Sequence, residues 1–321
     1  HRNKMLHAIE RMNPKVDIKS KTSVMPPSDL ELKAETIKLG EVLGRGFYGE
    51  VKRANWTGID VAVKYIYRDL KDEEKVKMFY KEITILSQLR HPNIITMIGF
   101  ARMPAENTEN IEVMLVTELM MNGTLHARIG SDPDTVRMLR LQLVKNIASG
   151  MSYLHSKSIL HRDLNAKNIL LDANFTAKVA DFGLSKVVMK DLNEMTANVG
   201  FMGCIAPEVF KGEQYDEKAD IFSFGVVLYQ MLTGLEPQHQ FVNILAYVNA
   251  VAHEKYRPPF PADKKIEPEW RELVEKCWSD DAKSRPTFEG ILDYLNQLAT
   301  TKPKPQLFAP VPSEDIEGYV E

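Results

Sequence analysis

The hydrophobic residues of this chain change their period about a third of the way along, and that change limits the fold more than any other feature. Residues 37–67 are rich in Val, Ile, Tyr and Trp and are broken by Gly44, Gly46, Gly49 and Gly58, a strand-and-turn pattern. Val76, Phe79, Ile83, Leu86 and Leu89 then recur every three or four residues, the spacing of one helix face. Two further strand patterns follow at 94–100 and 112–119. Beyond Gly123 the helical period takes over. Val136, Leu139, Leu143, Ile147, Met151 and Leu154 predict one helix, and further helices are expected over 270–278 and 288–298. Residues 221–232 are apolar almost all round, as befits a helix at the centre of a lobe. The expected class is α+β: a small antiparallel β lobe with one helix, followed by a larger, mainly helical lobe. A length of 321 residues suits two packed lobes, and the cleft between them is the natural ligand site.

Charge and cysteine usage narrow the setting. With 41 basic and 44 acidic residues the net charge is −3, so nothing points to nucleic acid as a partner. Two cysteines, Cys204 and Cys277, are too few for a disulfide framework and predict a reducing compartment. No apolar run is long enough to span a bilayer. Residues 1–34, with six basic residues against two acidic ones before Pro26, read as a flanking segment: a solvated leader, or the juxtamembrane piece of a membrane-anchored protein. A start at His1 without a signal pattern is what a fragment would show. Residues 301–321 hold four prolines and end acidic, and are expected to be extended or disordered.

Several residues sit where burial would penalise them unless they had partners. Lys64, in DVAVKYIY, interrupts a strand that is apolar on both faces, so it needs an anion. Glu82 has Met78, Phe79, Ile85 and Leu86 three and four residues away, which places it on the buried face of its helix. Each charge solves the other's problem. Gly44, Gly46 and Gly49 form G-x-G-x-x-G in LGRGFYGEVKRA. A strand rather than a helix follows, which argues against a dinucleotide fold and for a hairpin turn. Such a turn can bring backbone N–H groups close to phosphate, although an ordinary glycine-rich hairpin has the same pattern. In SILHRDLNAKNILLD, residues 158–172, polar groups stand between two apolar segments. Asp163 can accept a proton from an attacking hydroxyl, and Asn168 offers a neutral oxygen to a metal. KVADFG ends an apolar strand on Asp181, a hard carboxylate for Mg²⁺. Together these are the parts of a phosphoryl-transfer site.

With its motifs in this order, the chain resembles the eukaryotic protein kinases over residues 37–298, and within them the tyrosine kinase-like group. The motifs are LGRGFYGEV, VAVK, the helix with Glu82, HRDLNAKN, DFG, APE at 206–208 and DIFSFGVVL from Asp220. The resemblance implies a bilobal kinase domain over 35–300: an N-lobe to about 118, a hinge at about 118–123 and a C-lobe from about 124. It implies ATP and Mg²⁺ as cofactors and a protein as substrate. Gly44, Arg45, Gly46 and Gly49 would cover the phosphates, and Lys64, braced by Glu82, would hold their oxygens. Val51, Ala62 and Leu170 would sandwich adenine. Thr117 would guard the pocket, and Glu118 and Met120 would offer backbone hydrogen bonds. Asn168 and Asp181 would hold the metal, and Asp163 would act as base with Arg162 and Lys167 beside it. Leu86, Met97, His161 and Phe182 would stack as an internal spine, and Glu208 would pair with Arg285. Arg162 would await a phosphate on segment 181–208, where Thr196 is the candidate. The implied location is cytoplasmic, with a membrane reached only through a segment outside this chain.

Which hydroxyl is phosphorylated is less sharply written. Asn165 stands where serine/threonine kinases carry lysine, and Lys167, four residues after Asp163, stands where tyrosine kinases carry a basic residue. VGFMGCIAPEV resembles the G-T-x-G-Y-x-A-P-E of tyrosine kinase-like kinases, with Phe201 in place of the threonine and Cys204 in place of the aromatic. Cys204 is expected to be a small buried hydrophobe. Serine and threonine are favoured, with tyrosine or dual specificity as the alternative. A pseudokinase scaffold, which binds ATP without useful catalysis, rests on Phe201 and Asn165. Tyr319, in EDIEGYVE, is a solvated tail residue or a docking phosphosite.

Overall fold

The computed structural model describes residues 28–46, 49–65, 73–104, 111–181 and 202–301. Phe182, Thr196, Phe201 and Tyr319 lie outside them, as do the flanking segments 1–27 and 302–321.

Strands β1 (Ile37–Gly46), β2 (Gly49–Trp56), β3 (Ile59–Tyr65), β4 (Met97–Pro104) and β5 (Ile111–Glu118) form one antiparallel sheet in the order β1-β2-β3-β5-β4. Helix α1 (Glu73–Gln88) lies between β3 and β4 in sequence. The alternation of β3 sends Val61 and Val63 into a small core with Ile37, Ala54, Ala101, Met114 and Val116. Ala62 and Lys64 therefore sit on the other face, where both are half-buried. The glycine-rich turn joins β1 to β2 in register, Gly46 opposite Gly49 and Gly44 opposite Val51, so it is a hairpin as its sequence suggests.

The second strand expectation, 94–100, is displaced. β4 begins at Met97, and Ile94 instead bridges Val179 of β7 (Ala177–Val179), which pairs with β6 (Ile169–Leu171). Ile95 N–H donates to Val179 O at 3.0 Å and Val179 N–H donates to Asn93 O at 2.9 Å. These residues are apolar because they bind the sheet to the helical lobe, not because they extend β4.

The helical lobe contains α2 (Leu125–Ser131), α3 (Pro133–Met138), α4 (Arg140–Ser156), α5 (Pro207–Phe210), α6 (Lys218–Thr233), α7 (Ile244–His253), α8 (Pro268–Cys277) and α9 (Phe288–Thr301). The single helix expected over 136–154 is two, α3 and α4, parted at Leu139. One non-helical residue hardly shifts the period, so spacing alone does not reveal the break. Asp132 starts α3 by accepting from Thr135 N–H at 3.2 Å, and Pro133 follows it at the first helical position. α6 is buried nearly all round, its polar Asp220, Ser223 and Gln230 included, and is the central helix its composition suggests. Close approach decides two glycines. A Cβ at Gly150 would meet Asn93 O at 2.5 Å, and one at Gly225 would meet Cys277 Cβ at 2.9 Å.

The main core does not divide at the lobe boundary. Phe79, Ile83 and Leu86 of α1 belong to the same buried cluster as Ile94, Val179, α4 and α6. The helix that carries Glu82 thus shares one core with the strand that leads to Asp181. Glu208 of α5 and Arg285, both buried, tie the far end of the lobe together through bonds of 2.6 and 2.9 Å.

Candidate active site

Lys64 Nζ lies 3.5 Å from Glu82 Oε1 and in closer contact with Asp181 Oδ1. The pairing expected of Lys64 and Glu82 is therefore a three-member cluster. Asp181 enters it because the chain turns there with φ at 60°, in the left-handed region. Glu82 is 1% exposed and its Oε2 has no hydrogen-bond partner. Burial pushes Glu82 up to about 7, against the pull of Lys64 and with the charge of Asp181 adding to the rise. Burial alone would lower Lys64, but its two carboxylates outweigh that and raise it. Burial likewise opposes ionisation of Asp181, and Lys64 wins, holding it below its ordinary value.

Asp163 is half-buried. Asn165 Nδ2 donates to its Oδ1 at 2.8 Å, and Asn168 Nδ2 donates to its Oδ2 at 2.6 Å and its backbone oxygen at 2.9 Å. Burial pushes the Asp163 carboxyl well above its ordinary value and the charge of Asp181 adds to this, while the two amides pull the other way. Asn165, 2% exposed, also accepts from Lys167 N–H at 2.9 Å, so it braces the loop around Asp163. Lys167 is exposed beside it.

With both amide hydrogens of Asn168 directed at Asp163, what remains of its side chain is an oxygen acceptor. That oxygen and the Asp181 carboxylate are hard donors of the kind Mg²⁺ takes. Among the described residues no group of three or more His, Cys, Asp or Glu could hold a metal. Two protein oxygens fit an ion that completes its shell with water and phosphate.

The sequence did not single out the group that holds this loop. Asp220, at the start of α6, accepts from His161 N–H at 2.9 Å, Arg162 N–H at 2.8 Å and His155 Nε2 at 2.9 Å. It fixes Arg162 with φ at 66°, a costly conformation for a side chain of this size. The available signal was a carboxylate opening an otherwise apolar helix. Burial opposes the Asp220 charge, but the donors overcome it and hold its carboxyl below its ordinary value. The folded state then sheds this proton more readily than the unfolded chain. The stabilisation is complete above the ordinary value and is lost as pH falls through the lowered one. Asp220→Asn is expected to cost about 1–3 kcal/mol at neutral pH and to flatten the acid limb of stability against pH. Urea denaturation across that range measures both.

The other expected residues are placed as follows. Arg45 is an exposed side chain paired with Glu50 at 3.0 Å. Val51, Ala62, Thr117 and Leu170 are half-buried, and Met120 is buried. Glu118 turns its carboxylate away, to Lys178 Nζ at 2.7 and 2.8 Å and to Thr96 N–H at 2.7 Å. Its backbone N–H is bonded to Thr96 O at 3.1 Å, so its backbone offers a ligand a carbonyl. Leu86, Met97 and His161 are buried, and His161 Nε2 lies 3.0 Å from Ala180 O. Cys204 is 3% exposed, and burial pushes its thiol up.

Sequence comparisons relate this chain to known proteins. Dual specificity protein kinase splA of Dictyostelium discoideum is 38% identical over 312 residues, covering 91% of this chain and 13% of that protein. Seven transmembrane domain-containing tyrosine-protein kinase 1 of the same organism is 40% identical over 290 residues, 85% of this chain and 40% of that protein. Serine/threonine-protein kinase VIK of Arabidopsis thaliana is 39% identical over 274 residues, 82% and 60% respectively. The chain thus spans less than two thirds of each of these relatives. Among its own described residues, no helix is long and apolar enough to cross a membrane. The sequence model for protein tyrosine and serine/threonine kinases matches residues 37–295, and the chain belongs to the protein kinase family.

Proposed function

We propose that this chain transfers the γ-phosphoryl group of Mg-ATP to hydroxyls of a protein substrate, serine and threonine favoured. One juxtaposition carries the proposal. Asp163, held by two amides, lies close enough to the Lys64–Glu82–Asp181 cluster for the charges of Lys64 and Asp181 to act on it. Asp163 orients the acceptor hydroxyl and takes its proton, a task helped by a carboxyl more basic than usual. Lys64, steadied by Glu82, binds phosphate oxygens under the Gly44–Gly46–Gly49 hairpin. Asp181 and the Asn168 oxygen would hold Mg²⁺, which supplies positive charge against the phosphates when bound. Lys167 reaches the transferred phosphate from the exposed side. Val51, Ala62 and Leu170 would sandwich adenine, with Thr117 guarding the pocket and Glu118 and Met120 of the hinge offering backbone hydrogen bonds. Arg162 receives a phosphate on Thr196.

In this reading the catalytic unit spans about residues 35–300 and works in the cytoplasm, as the two free thiols, Cys204 and Cys277, favour. Serine/threonine preference is supported by the sequence before Ala206 and by the name of the Arabidopsis relative, a serine/threonine-protein kinase. Lys167 and the names of the two Dictyostelium relatives favour tyrosine or dual specificity. Matched peptides differing only in a serine, threonine or tyrosine acceptor decide between them. The serine and threonine peptides are expected to have the higher kcat/KM, and a faster tyrosine peptide would reverse the assignment.

A further inference from the structure

The residues just before Ala206 stand beside Asp163, since the charges of Asp163 and Lys167 both reach the buried Cys204 thiol. The transfer chemistry does not explain what holds them there. Met202, Gly203 and Cys204 are all buried. Two of their carbonyls are taken by hydroxyls from neighbouring helices. Ser223 Oγ of α6 donates to Cys204 O at 2.7 Å, and Tyr247 Oη of α7 donates to Gly203 O at 3.1 Å. The connection between α6 and α7 closes on the same spot. A Cβ at Gly203 would meet Pro237 Cγ and Gln238 Oε1, each at 2.9 Å.

Tyr247 is placed as a fixed prop. It is 1% exposed. Its ring meets Phe241 edge-to-face with centroids 5.5 Å apart and Tyr256 at 6.2 Å, and those two rings meet each other at 4.9 Å. Edge-to-face packing of this kind is favourable and directional, so it orients the ring. Asn243 fixes the start of the helix by accepting from Ala246 N–H at 2.9 Å. Burial pushes the Tyr247 phenol up, so its hydroxyl stays protonated and donates. Filling space would need only the ring. The hydroxyl, aimed at one backbone carbonyl of a separate segment, holds that segment in place.

We infer that Tyr247 is a positioning residue for the protein substrate: its hydroxyl fixes Gly203, and with it the segment 202–205 against which an acceptor peptide seats beside Asp163. The inference rests on the phosphoryl-transfer function proposed above and adds how the substrate is received. Without the hydroxyl the segment gains other arrangements, and only the fraction in the receiving one binds at full strength. The apparent affinity falls by that fraction. Once a peptide is seated the segment is held again, and Asp163 takes the proton as before. The loss therefore falls on KM for the protein substrate and spares kcat and KM for ATP.

Tyr247→Phe tests this, since it keeps the ring and its packing and removes the hydroxyl alone. Tyr294→Phe is the control: it removes a hydroxyl that donates to Glu269 O at 2.9 Å, in α8. Urea denaturation measures what each loses in stability. Steady-state kinetics with a serine peptide gives kcat and both KM values, and fluorescence polarisation of the labelled peptide, with a non-hydrolysable ATP analogue present, gives affinity without turnover. Tyr247→Phe is expected to raise peptide KM and Kd about three- to tenfold and to keep kcat and ATP KM within about twofold. Tyr294→Phe is expected to leave all four near wild type. Phe241→Leu, which loosens the ring cluster, should move peptide KM in the same direction as Tyr247→Phe. Unchanged peptide KM and Kd in Tyr247→Phe overturns the inference. So does an equal rise in Tyr294→Phe, or a loss spread evenly over kcat and ATP KM, the mark of general loosening. A wild-type chain that binds the peptide without transferring phosphate defeats the proposed activity, while weaker binding by Tyr247→Phe still supports the positioning role. A wild-type chain that neither binds nor modifies the peptide defeats both.

Discussion

Replacing Asp163 by asparagine is expected to slow phosphoryl transfer by about 100- to 10,000-fold and to leave Mg-ATP binding in place. Asparagine keeps the shape of the side chain but only one acceptor oxygen, so one of Asn165 and Asn168 loses its side-chain acceptor while both keep their bonds to the Asp163 backbone oxygen at 3.1 and 2.9 Å. It cannot take the proton of the acceptor hydroxyl. In the proposed reading nucleotide contacts fall to Lys64, the glycine hairpin and the hinge, none of which the substitution replaces. Steady-state rates with a protein substrate and calorimetric titration with ATP separate the two effects. A variant with a near wild-type rate would remove Asp163 from its assigned role, and one that had lost nucleotide binding would mean that Asp163 organises the pocket rather than the chemistry.

Arg285→Ala is expected to destabilise the fold by about 3–5 kcal/mol, the usual cost of breaking one side of a buried ion pair. Arg285 is 1% exposed. Its guanidinium donates to Glu208 Oε1 at 2.6 Å and Oε2 at 2.9 Å, to Lys218 O at 2.9 Å and to Ser279 O at 2.9 Å. Truncation leaves the Glu208 carboxylate, 8% exposed, without its counter-charge, and two part-buried carbonyls without this donor. Arg285→Lys restores charge but not the planar fork, and should fall between alanine and wild type. Urea denaturation gives the difference directly, and a loss under about 1 kcal/mol would place the pair among surface-like bridges.

Residues whose burial contradicts their polarity were the legible part of this chain. Lys64 and Glu82 stand out against apolar neighbours, and α6 announces its central place by being apolar on every side. What spacing could not convey were contacts between distant segments. Nothing near Asp181 in sequence indicates that it crowds Lys64 more closely than Glu82 does, because that contact depends on the left-handed turn at the end of β7. Ile94 looks like a strand residue whether its partner is β5 or, as found, Val179. Asp220 begins an apolar helix, and only the folded chain brings two N–H groups of the loop around Arg162 onto its carboxylate. Gln230 reads as an interruption of that same helix, and its unbonded oxygen becomes visible only once Glu236 has claimed its nitrogen.

The most direct test of the central claim is incubation of the purified chain with a protein substrate and γ-labelled ATP, with and without Mg²⁺, followed by mapping of the modified residues. The account predicts Mg²⁺-dependent label on substrate serine and threonine. Absence of label, even after the chain has itself been phosphorylated by an activating kinase, would contradict it and leave a nucleotide-binding scaffold.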